Sequence, residues 1–315
     1  MTARLLVLED GAVVAREPRE LSELRERLCW LDVAGPGSAD FALVAEELGL
    51  HPLAIEDARQ RHQRPKVDEY EGHYFIVMYA VESPEGEDLR EISMFVMRNV
   101  VVTVHEGEVG ALREVEGRWR EGRLNTTGML LHALLDAMVD ALFPVVDALG
   151  DRIDALEEAI LSGGRSVDLQ TALRSLFETK RRLLRLRQRV ASERDVLDIV
   201  ARGDLKLFTP EEMPYFQDVY DHVIRVTDEI DIFRDIASNV IDAHLAAASN
   251  RLNEVMKVLT AVATILLVIT VVTGFFGMNF TLLPFDSAAV FGAAVAFMVL
   301  STVGLVAYFR RMEWL

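Results

Sequence analysis

The sequence contains a single cysteine, Cys29, among 315 residues. One thiol cannot form a disulfide framework or a thiolate metal cluster within one chain. Basic residues are outnumbered, since 33 Lys and Arg stand against 50 Asp and Glu and leave a formal charge of −17. Nucleic-acid binding needs a basic surface, so this balance argues against a nucleic-acid partner and suits a surface that attracts cations.

The chain also lacks the sequence motifs of common enzyme classes. It has no phosphate loop of the G-x-x-x-x-G-K-[ST] form. The histidines show no metal-ligand spacing, and we interpret them as isolated solvated or core residues; they stand at positions 51, 62, 73, 105, 132, 222 and 244. The opening MTARLLVLEDG has too short an apolar run for a signal peptide, so we expect a cytosolic N-terminus. We therefore do not expect an enzyme.

Two long apolar segments lie near the C-terminus. Residues 258–276 and 288–309 are free of charged residues over 19 and 22 positions. About 20 apolar residues span the bilayer core, so both are predicted transmembrane helices, and a pair of buried helices in a soluble domain is the alternative. Lys257 precedes the first segment, and Arg310 and Arg311 follow the second. This placement predicts that both termini are cytoplasmic. We expect a multi-pass protein of the cell (inner) membrane.

Residues 1–125 predict an α/β cytosolic domain. Short β-rich runs occur at residues 4–8, 29–33, 74–78, 92–97 and 100–105. Helical stretches begin near Ala39 and at Pro52, a residue that suits the first position of a helix.

Residues 126–208 predict an antiparallel helix hairpin. One helix is expected from Thr127 to Ser162, with Pro144 as a candidate kink, and a second from Val167 towards Arg202. The first carries an acidic stripe of Asp136, Asp140, Asp147, Asp151, Asp154 and Glu158. The second carries the basic residues Lys180, Arg181, Arg182, Arg185, Arg187 and Arg189. We interpret the two sets as pairing across the hairpin or as solvated faces, with nucleic-acid binding as the weaker alternative.

Residues 209–276 predict a long stalk helix that continues into the first transmembrane helix. Thr209-Pro210-Glu211-Glu212 has the form of a capping box. From Pro214 to Gly274 the 59 intervening residues include neither Gly nor Pro. At about 1.5 Å per residue they would form a rod of roughly 90 Å.

A stripe of mostly small or polar residues follows this helix at heptad-like spacing. Its members are Asp242, Ala246, Ser249, Asn253, Met256, Thr260, Ala263, Leu267, Thr270 and Gly274. Large apolar neighbours such as Ile265 suit lipid contact, whereas small residues at a seam also mediate plain helix packing. The polar members of the cytosolic half favour an ion path. One helix hairpin cannot enclose a channel, so a pore would require several subunits around an axis.

The triplet Gly277-Met278-Asn279 follows the first apolar segment directly, and a short loop to residue 287 leads to the second, in 288–315. In this setting the sequence resembles the CorA family of magnesium channels, whose signature is a Gly-Met-Asn triplet. The resemblance covers nearly the whole chain, including residues 51–57, 63–67, 214–221 and 253–260. It implies a funnel-shaped homopentamer with a two-helix transmembrane hairpin, in which the first transmembrane helix lines the pore.

The resemblance also implies roles for individual residues. Gly277, Met278 and Asn279 would form a selectivity filter whose neutral oxygens hold hydrated Mg²⁺. The implied pore-lining residues are Asp242, Asn253, Met256, Leu259, Leu267 and Thr270. Leu259 lies one residue off the stripe and is included on the resemblance alone.

The same resemblance places intersubunit magnesium-sensing carboxylates at Asp57, with Glu56 beside it, and at Asp218. Mg²⁺ would then be both the transported and the regulatory ion. At high internal Mg²⁺ the ion would bridge Asp57 of one subunit to Asp218 of its neighbour and hold the pentamer closed; at low Mg²⁺ the carboxylates would repel each other.

Some features depart from the family or leave alternatives open. Asp286 follows Pro284 only after Phe285, and the C-terminal tract at Arg310 and Arg311 is only weakly basic. A zinc-transporting branch shares the triplet, so the preferred ion among Mg²⁺, Co²⁺, Ni²⁺ and Zn²⁺ stays open. A membrane-anchored helical scaffold or sensor is the other alternative function.

Overall fold

The structure is a computed structural model, which describes residues 3–83, 86, 88–122, 124–161, 169–278 and 287–314. The chain forms two compact units, Met1–Asn239 and Val240–Leu315.

The described strands of the first unit form one mixed sheet. They are β1 (Ala3–Glu9), β2 (Ala12–Arg16), β3 (Cys29–Ala34), β4 (Lys66–Tyr70), β5 (His73–Val81), β6 (Leu89–Val96) and β7 (Val100–His105). Their order is β2-β1-β3-β7-β6-β5-β4, and β3 and β7 pair in parallel while the other neighbours are antiparallel. The predicted strands are confirmed as β1, β3, β5, β6 and β7, with small differences at their ends.

Sequence reasoning missed β2 and β4, which are the edge strands of this sheet. Neither contains a fully buried residue. A strand that packs little against the core needs no hydrophobic run, so its sequence gives a weak signal.

Short helices cover the sheet and form its core. They are α1 (Leu21–Leu24), which follows a 3-10 turn at Pro18–Glu20, then α2 (Ala39–Leu48), α3 (Pro52–Gln60) and α4 (Gly110–Arg120). Ser38 caps α2 by accepting a hydrogen bond from the Phe41 N–H at 3.2 Å. Phe41 is fully buried and its ring lies 6.0 Å from that of Phe95 in β6. Pro52 occupies the first turn of α3, as predicted.

The region predicted as a helix hairpin contains three described helices. They are α5 (Thr127–Asp140), α6 (Phe143–Leu161) and α7 (Leu169–Ala201). The single helix expected from Thr127 with a kink at Pro144 is therefore wrong, because the helix ends at Asp140 and a new one begins at Phe143. Pro144 is the second residue of α6, where its missing N–H has no helical acceptor to satisfy.

Pairing of the acidic and basic stripes across the hairpin is wrong for the residues whose contacts are resolved. Arg187 Nε lies 2.6 Å from Asp231 Oδ1. The Arg189 guanidinium stacks 4.1 Å from the centre of the Tyr79 ring. On the acidic side, Asp136 contacts Arg118 at 3.1 Å. Arg187 and Arg189 thus contact groups outside the acidic stripe, whereas Arg181 and Arg185 are exposed, as the solvated-face alternative expects.

The next helix, α8, runs from Met213 to Phe276 and contributes residues to both units. It begins at Met213 and not at Pro210, so the predicted capping box does not start a helix. One of its hydrogen bonds is present, since Glu212 accepts from the Thr209 N–H at 2.8 Å. Glu212 also accepts a hydrogen bond from the Thr126 hydroxyl, which joins the start of α8 to the start of α5.

Both predicted transmembrane segments lie in helices, the first in α8 and the second in α9 (Ala288–Arg311). Three stretches of the described chain are long and apolar enough to cross a membrane. The one in 127–161 is 67% buried within the protein, whereas those in α8 and α9 are 6% and 0% buried. Apolar surface of that extent needs a lipid environment, so α8 and α9 are the helices able to span a membrane.

Candidate functional site

Helix α3 presents Asp57 at the side of the sheet. Ala54 and Ala58 of this helix are buried, which leaves Asp57 only partly exposed. Lys66, the first residue of β4, contacts Asp57 at 2.7 Å and Asp68 at 2.6 Å. Burial alone would lower the pKa of Lys66, but hydrogen bonds to the two carboxylates outweigh it and the pKa is raised. The ammonium therefore stays charged against Asp57.

Glu56 is exposed and accepts a hydrogen bond from Gln60 Nε2 at 2.7 Å. The Glu56 carboxylate can accept further hydrogen bonds, because each carboxylate has about four acceptor positions and Gln60 uses one of them. Glu56 and Asp57 are thus adjacent acids in different settings: one meets a neutral amide and the other an ammonium.

Asp218 lies near the start of α8 and its side chain is 66% exposed. Its carboxylate is 3.8 Å from Nε2 of His222, one helical turn further on. The other ring nitrogen, Nδ1, lies 2.9 Å from Oδ1 of Asp140 at the end of α5. The ring of Phe143 packs edge-on against the imidazole at 6.0 Å. His222 is thereby held between two carboxylates.

The structure also brings Asp136 to this place. Ligand atoms of Asp136, Asp140 and His222 all lie within 4.8 Å of one another, in an arrangement that can hold a metal ion. Carboxylate oxygens suit Mg²⁺, and an imidazole nitrogen adds affinity for later transition metals such as Co²⁺. We name Asp136, Asp140, Asp218 and His222 the acidic cluster.

The interpretation of His222 as an isolated histidine is therefore wrong. The available signal was the spacing of four residues between Asp218 and His222 and between Asp136 and Asp140, which places each pair on one helix face. What the sequence did not show was that the two faces meet.

Two basic residues, Arg118 and His132, lie next to the acidic cluster, and only one of them offsets its negative charge. Arg118 contacts Asp136, as described above, and compensates one carboxylate. His132 is buried against Tyr215 and Phe216, with ring centres at 5.4 and 6.1 Å. Burial lowers the pKa of His132, despite the opposing charge of Asp136. A neutral His132 leaves the cluster with an excess of negative charge.

Within the described chain, Asp57 is not part of the acidic cluster, since its ionic contact is with Lys66. The structure thus brings Asp218 together with residues that were not predicted as ligands. It does not bring Asp57 and Asp218 together in one chain.

In the second unit, the predicted pore stripe of α8 lies on an exposed face. All of its members from Asp242 to Gly274 are exposed. Met256, Leu267 and the adjoining Leu259 are 57%, 61% and 59% exposed. No described residue of this chain therefore buries the stripe.

The opposite side of the helix is more covered. Ile265, Val268 and Ile269 are half-buried. Val272 lines a cavity of about 450 Å³ together with Phe291 and other residues of α9. These apolar neighbours are therefore only partly exposed within the chain.

The threonines of the stripe have their hydroxyl protons engaged by the helix itself. Thr260 donates to the Met256 carbonyl at 2.7 Å, and Thr270 donates to the Leu266 carbonyl at 2.8 Å. Each hydroxyl oxygen keeps its lone pairs available on the exposed face. The two threonines thus present acceptors, which suit water molecules that surround a cation.

The predicted filter begins where α8 ends. Gly277 and Met278 are exposed, and their N–H groups donate to Thr273 and Phe275 at 2.9 and 3.2 Å. Asn279 lies outside the described residues, as does Asp286 of the predicted outer loop.

Comparison with known proteins identifies one family. The family model described as CorA-like Mg²⁺ transporter protein matches residues 25–311. The chain is 35% identical over 296 residues to a cobalt/magnesium transport protein CorA of Thermotoga maritima, covering 91% of this chain and 83% of the relative. It is 24% identical over 322 residues to the CorA of Methanocaldococcus jannaschii, covering 100% of both.

Solved structures agree on the fold. The complete structure of the CorA magnesium transporter from Methanocaldococcus jannaschii superposes with a TM-score of 0.83 at 22% identity, covering 100% of this chain and 99% of that one. At this identity the likeness concerns the fold alone.

Proposed function

The chain belongs to the family of CorA-like Mg²⁺ transporter proteins, and on that premise we propose that it is a passive, gated channel for divalent cations, chiefly Mg²⁺. The observation that carries this proposal is the exposed stripe on α8, a helix whose apolar part is only 6% buried. Polar and small residues on such a helix need a partner other than lipid.

We propose that copies of the chain assemble as a homopentamer and enclose a water-filled path with this stripe. Its lining residues are Asp242, Asn253, Met256, Leu259, Leu267 and Thr270. The ring of Asp242 carboxylates would attract cations, and the apolar ring at Leu267 would gate by dewetting. Gly277, Met278 and Asn279 would form the filter, where amide and carbonyl oxygens hold hydrated Mg²⁺ without removing its inner waters.

We propose that the acidic cluster is one half of a magnesium sensor, and that Asp57 and Glu56 of a neighbouring subunit are the other half. An Mg²⁺ ion keeps several waters, so carboxylates about 5 Å apart suit a hydrated ion. Mg²⁺ bound between subunits would hold the channel closed. Lys66 competes for Asp57, which weakens the site and suits an ion that is abundant inside cells.

We propose an inner-membrane location with both termini in the cytoplasm. Lys257, Arg310 and Arg311 flank the apolar parts of α8 and α9 and follow the positive-inside pattern. The driving force would then be the membrane potential, worth about 4.6 kcal/mol per 100 mV for a divalent cation.

Flux into proteoliposomes that contain an Mg²⁺-sensitive dye tests the proposal. We expect Mg²⁺ entry by the full chain and its loss in Asn279→Ala. Asn250→Ala, an exposed asparagine of α8 outside the stripe, is the matched control and should keep the flux. Parallel runs with Co²⁺, Ni²⁺ and Zn²⁺ establish the preferred ion.

Two results would contradict this reading. Zn²⁺ entry without Mg²⁺ entry would move the chain to a zinc-transporting branch. No flux of any divalent ion, from a sample that native mass spectrometry shows to be assembled, would favour a membrane-anchored scaffold.

A further inference from the structure

The first unit also contains a cavity of about 730 Å³. One wall is α7. Another is the loop at residues 61–65, between α3 and β4, and Leu149 of α6 also lines it. Its volume falls in the range of small-molecule sites, about 300–1,000 Å³.

The cavity is basic in a strongly acidic chain. Four arginines line it, namely Arg64, Arg182, Arg185 and Arg189. None of the described residues that line it is acidic. Guanidinium groups that converge on one cavity repel each other, and an anion bound among them would reduce that repulsion.

The arginines of α7 stand on one face of that helix. Arg182, Arg185 and Arg189 are spaced by three and four residues, so their side chains follow one another along the same side. Part of the predicted basic run therefore lines one wall of the cavity.

The wall formed by the loop is held in place by buried and partly buried hydrogen bonds. The Tyr79 hydroxyl donates to the Gln63 carbonyl at 2.7 Å and contacts Glu91 at 3.0 Å. The Gln63 N–H donates to the same Glu91 oxygen at 3.0 Å. The Arg189 stack on Tyr79 links this wall to α7. A ligand would therefore meet a largely preorganised site.

We propose that this cavity binds a phosphate-bearing small anion of the nucleoside di- or triphosphate class. Arginine is the side chain best suited to phosphate, because its planar fork donates parallel hydrogen bonds to two oxygens. Leu89, which is half-buried, supplies apolar surface that phosphate groups do not use and that a nucleoside can cover. The volume exceeds what a single phosphate requires.

Calorimetric titration of the full chain in detergent tests this proposal, with EDTA present so that ligands do not act by chelating divalent ions. The probes are ATP, ADP, AMP, pyrophosphate and inorganic phosphate. We expect saturable binding of one ligand per chain, tightest for ATP and weakest for inorganic phosphate.

Variants connect the binding to the cavity. Arg185→Gln and Arg64→Gln should each weaken ATP binding at least about tenfold, as the loss of a charge-assisted hydrogen bond predicts. Arg181→Gln is the matched control, since Arg181 is exposed on α7 and does not line the cavity. Thermal melting without ligand shows that each variant is folded.

Several outcomes would overturn the proposal. Absence of saturable binding, or equal weakening by Arg181→Gln, would show that the cavity is no specific anion site. Pyrophosphate binding as tightly as ATP would keep the phosphate assignment and remove the nucleoside.

Discussion

Nδ1 of His222 lies 2.9 Å from Oδ1 of Asp140, and this contact joins the start of α8 to the end of α5. It converts two separate helix faces into one acidic cluster. Asp218 of α8 approaches the other ring nitrogen. A shift of α5 or α8 therefore changes the distance between the carboxylates of Asp140 and Asp218.

This relationship predicts that Asp140 contributes to magnesium sensing. We expect Asp140→Asn to raise the internal Mg²⁺ needed for half-inhibition of flux by about tenfold or more, since it removes a charged ligand and an orienting partner of His222. Asp147→Asn, an exposed acid of the same stripe, is the control. Proteoliposome flux at graded internal Mg²⁺ measures the effect, and equal curves for the two variants would contradict the sensor assignment.

The two halves of the proposed sensor can be removed together. Asp57→Lys combined with Asp218→Lys should leave flux insensitive to internal Mg²⁺, because two ammonium groups then face the position of the ion. The same flux assay checks this. Unchanged inhibition in the double variant would show that regulation lies elsewhere.

The pore stripe predicts a contrast between adjacent leucines. Leu267→Ser should raise flux at inhibitory internal Mg²⁺, because a polar ring at that position holds water in the closed state. Leu266→Ser is the control, since Leu266 is 56% exposed and off the stripe. Similar leak from both variants would argue that the stripe does not line the path.

Glu193 predicts a pH dependence of stability. This carboxyl is fully buried on α7, and burial raises its pKa from 4.5 to about 8, although the Tyr79 N–H and Arg189 oppose the change. The folded state therefore binds this proton more tightly than the unfolded state. Its stabilising contribution is complete below pH 4.5 and is lost as the pH rises to about 8.

Thermal melting of the full chain between pH 6 and pH 9 checks this, at about one-unit steps chosen to bracket the shifted pKa. Glu193→Gln should flatten part of the decline, whereas Glu178→Gln, an exposed acid of the same helix, should not. Parallel melting curves for wild type and Glu193→Gln would refute the expected linkage.

Packing of α6 against α8 predicts a large effect at one glycine. A Cβ on Gly150 would lie 2.3 Å from the Phe233 ring, so Gly150→Ala should lower the free energy of unfolding by about 1–3 kcal/mol. Gly117→Ala is the matched control, since nothing lies within 4 Å of its added methyl group. It should stabilise α4 slightly, because alanine favours a helix over glycine. Denaturant titration distinguishes the two.

The sequence predicted elements that carry a strong local signal. The charge-free run at 258–276 and the β-rich run at 100–105 need no tertiary information, because their composition alone determines what environment they require. The edge strands β2 and β4 were missed because their side chains are only partly buried. The helix break before Phe143 was missed because Pro144 suits a first turn as well as a kink.

The candidate site was predictable only in part. The polar stripe follows from helix periodicity, and the structure leaves it exposed. His222 could not be recognised as a neighbour of Asp140, because the two are 82 residues apart and meet only when α5 packs on α8. The same holds for the basic cavity: the arginines of α7 were visible as a run, but Arg64 comes from a distant loop.

The internal hydrogen bonds of Thr260 and Thr270 have a consequence for the water beside them. With each hydroxyl proton turned back to a carbonyl of its own helix, a water molecule at the wall can only donate to that oxygen. Such water points its own oxygen away from the wall, towards the place where an ion would pass. In a ring of identical helices the water would be oriented before any ion arrives. Its oxygen atoms would face the path, which favours a cation and disfavours an anion.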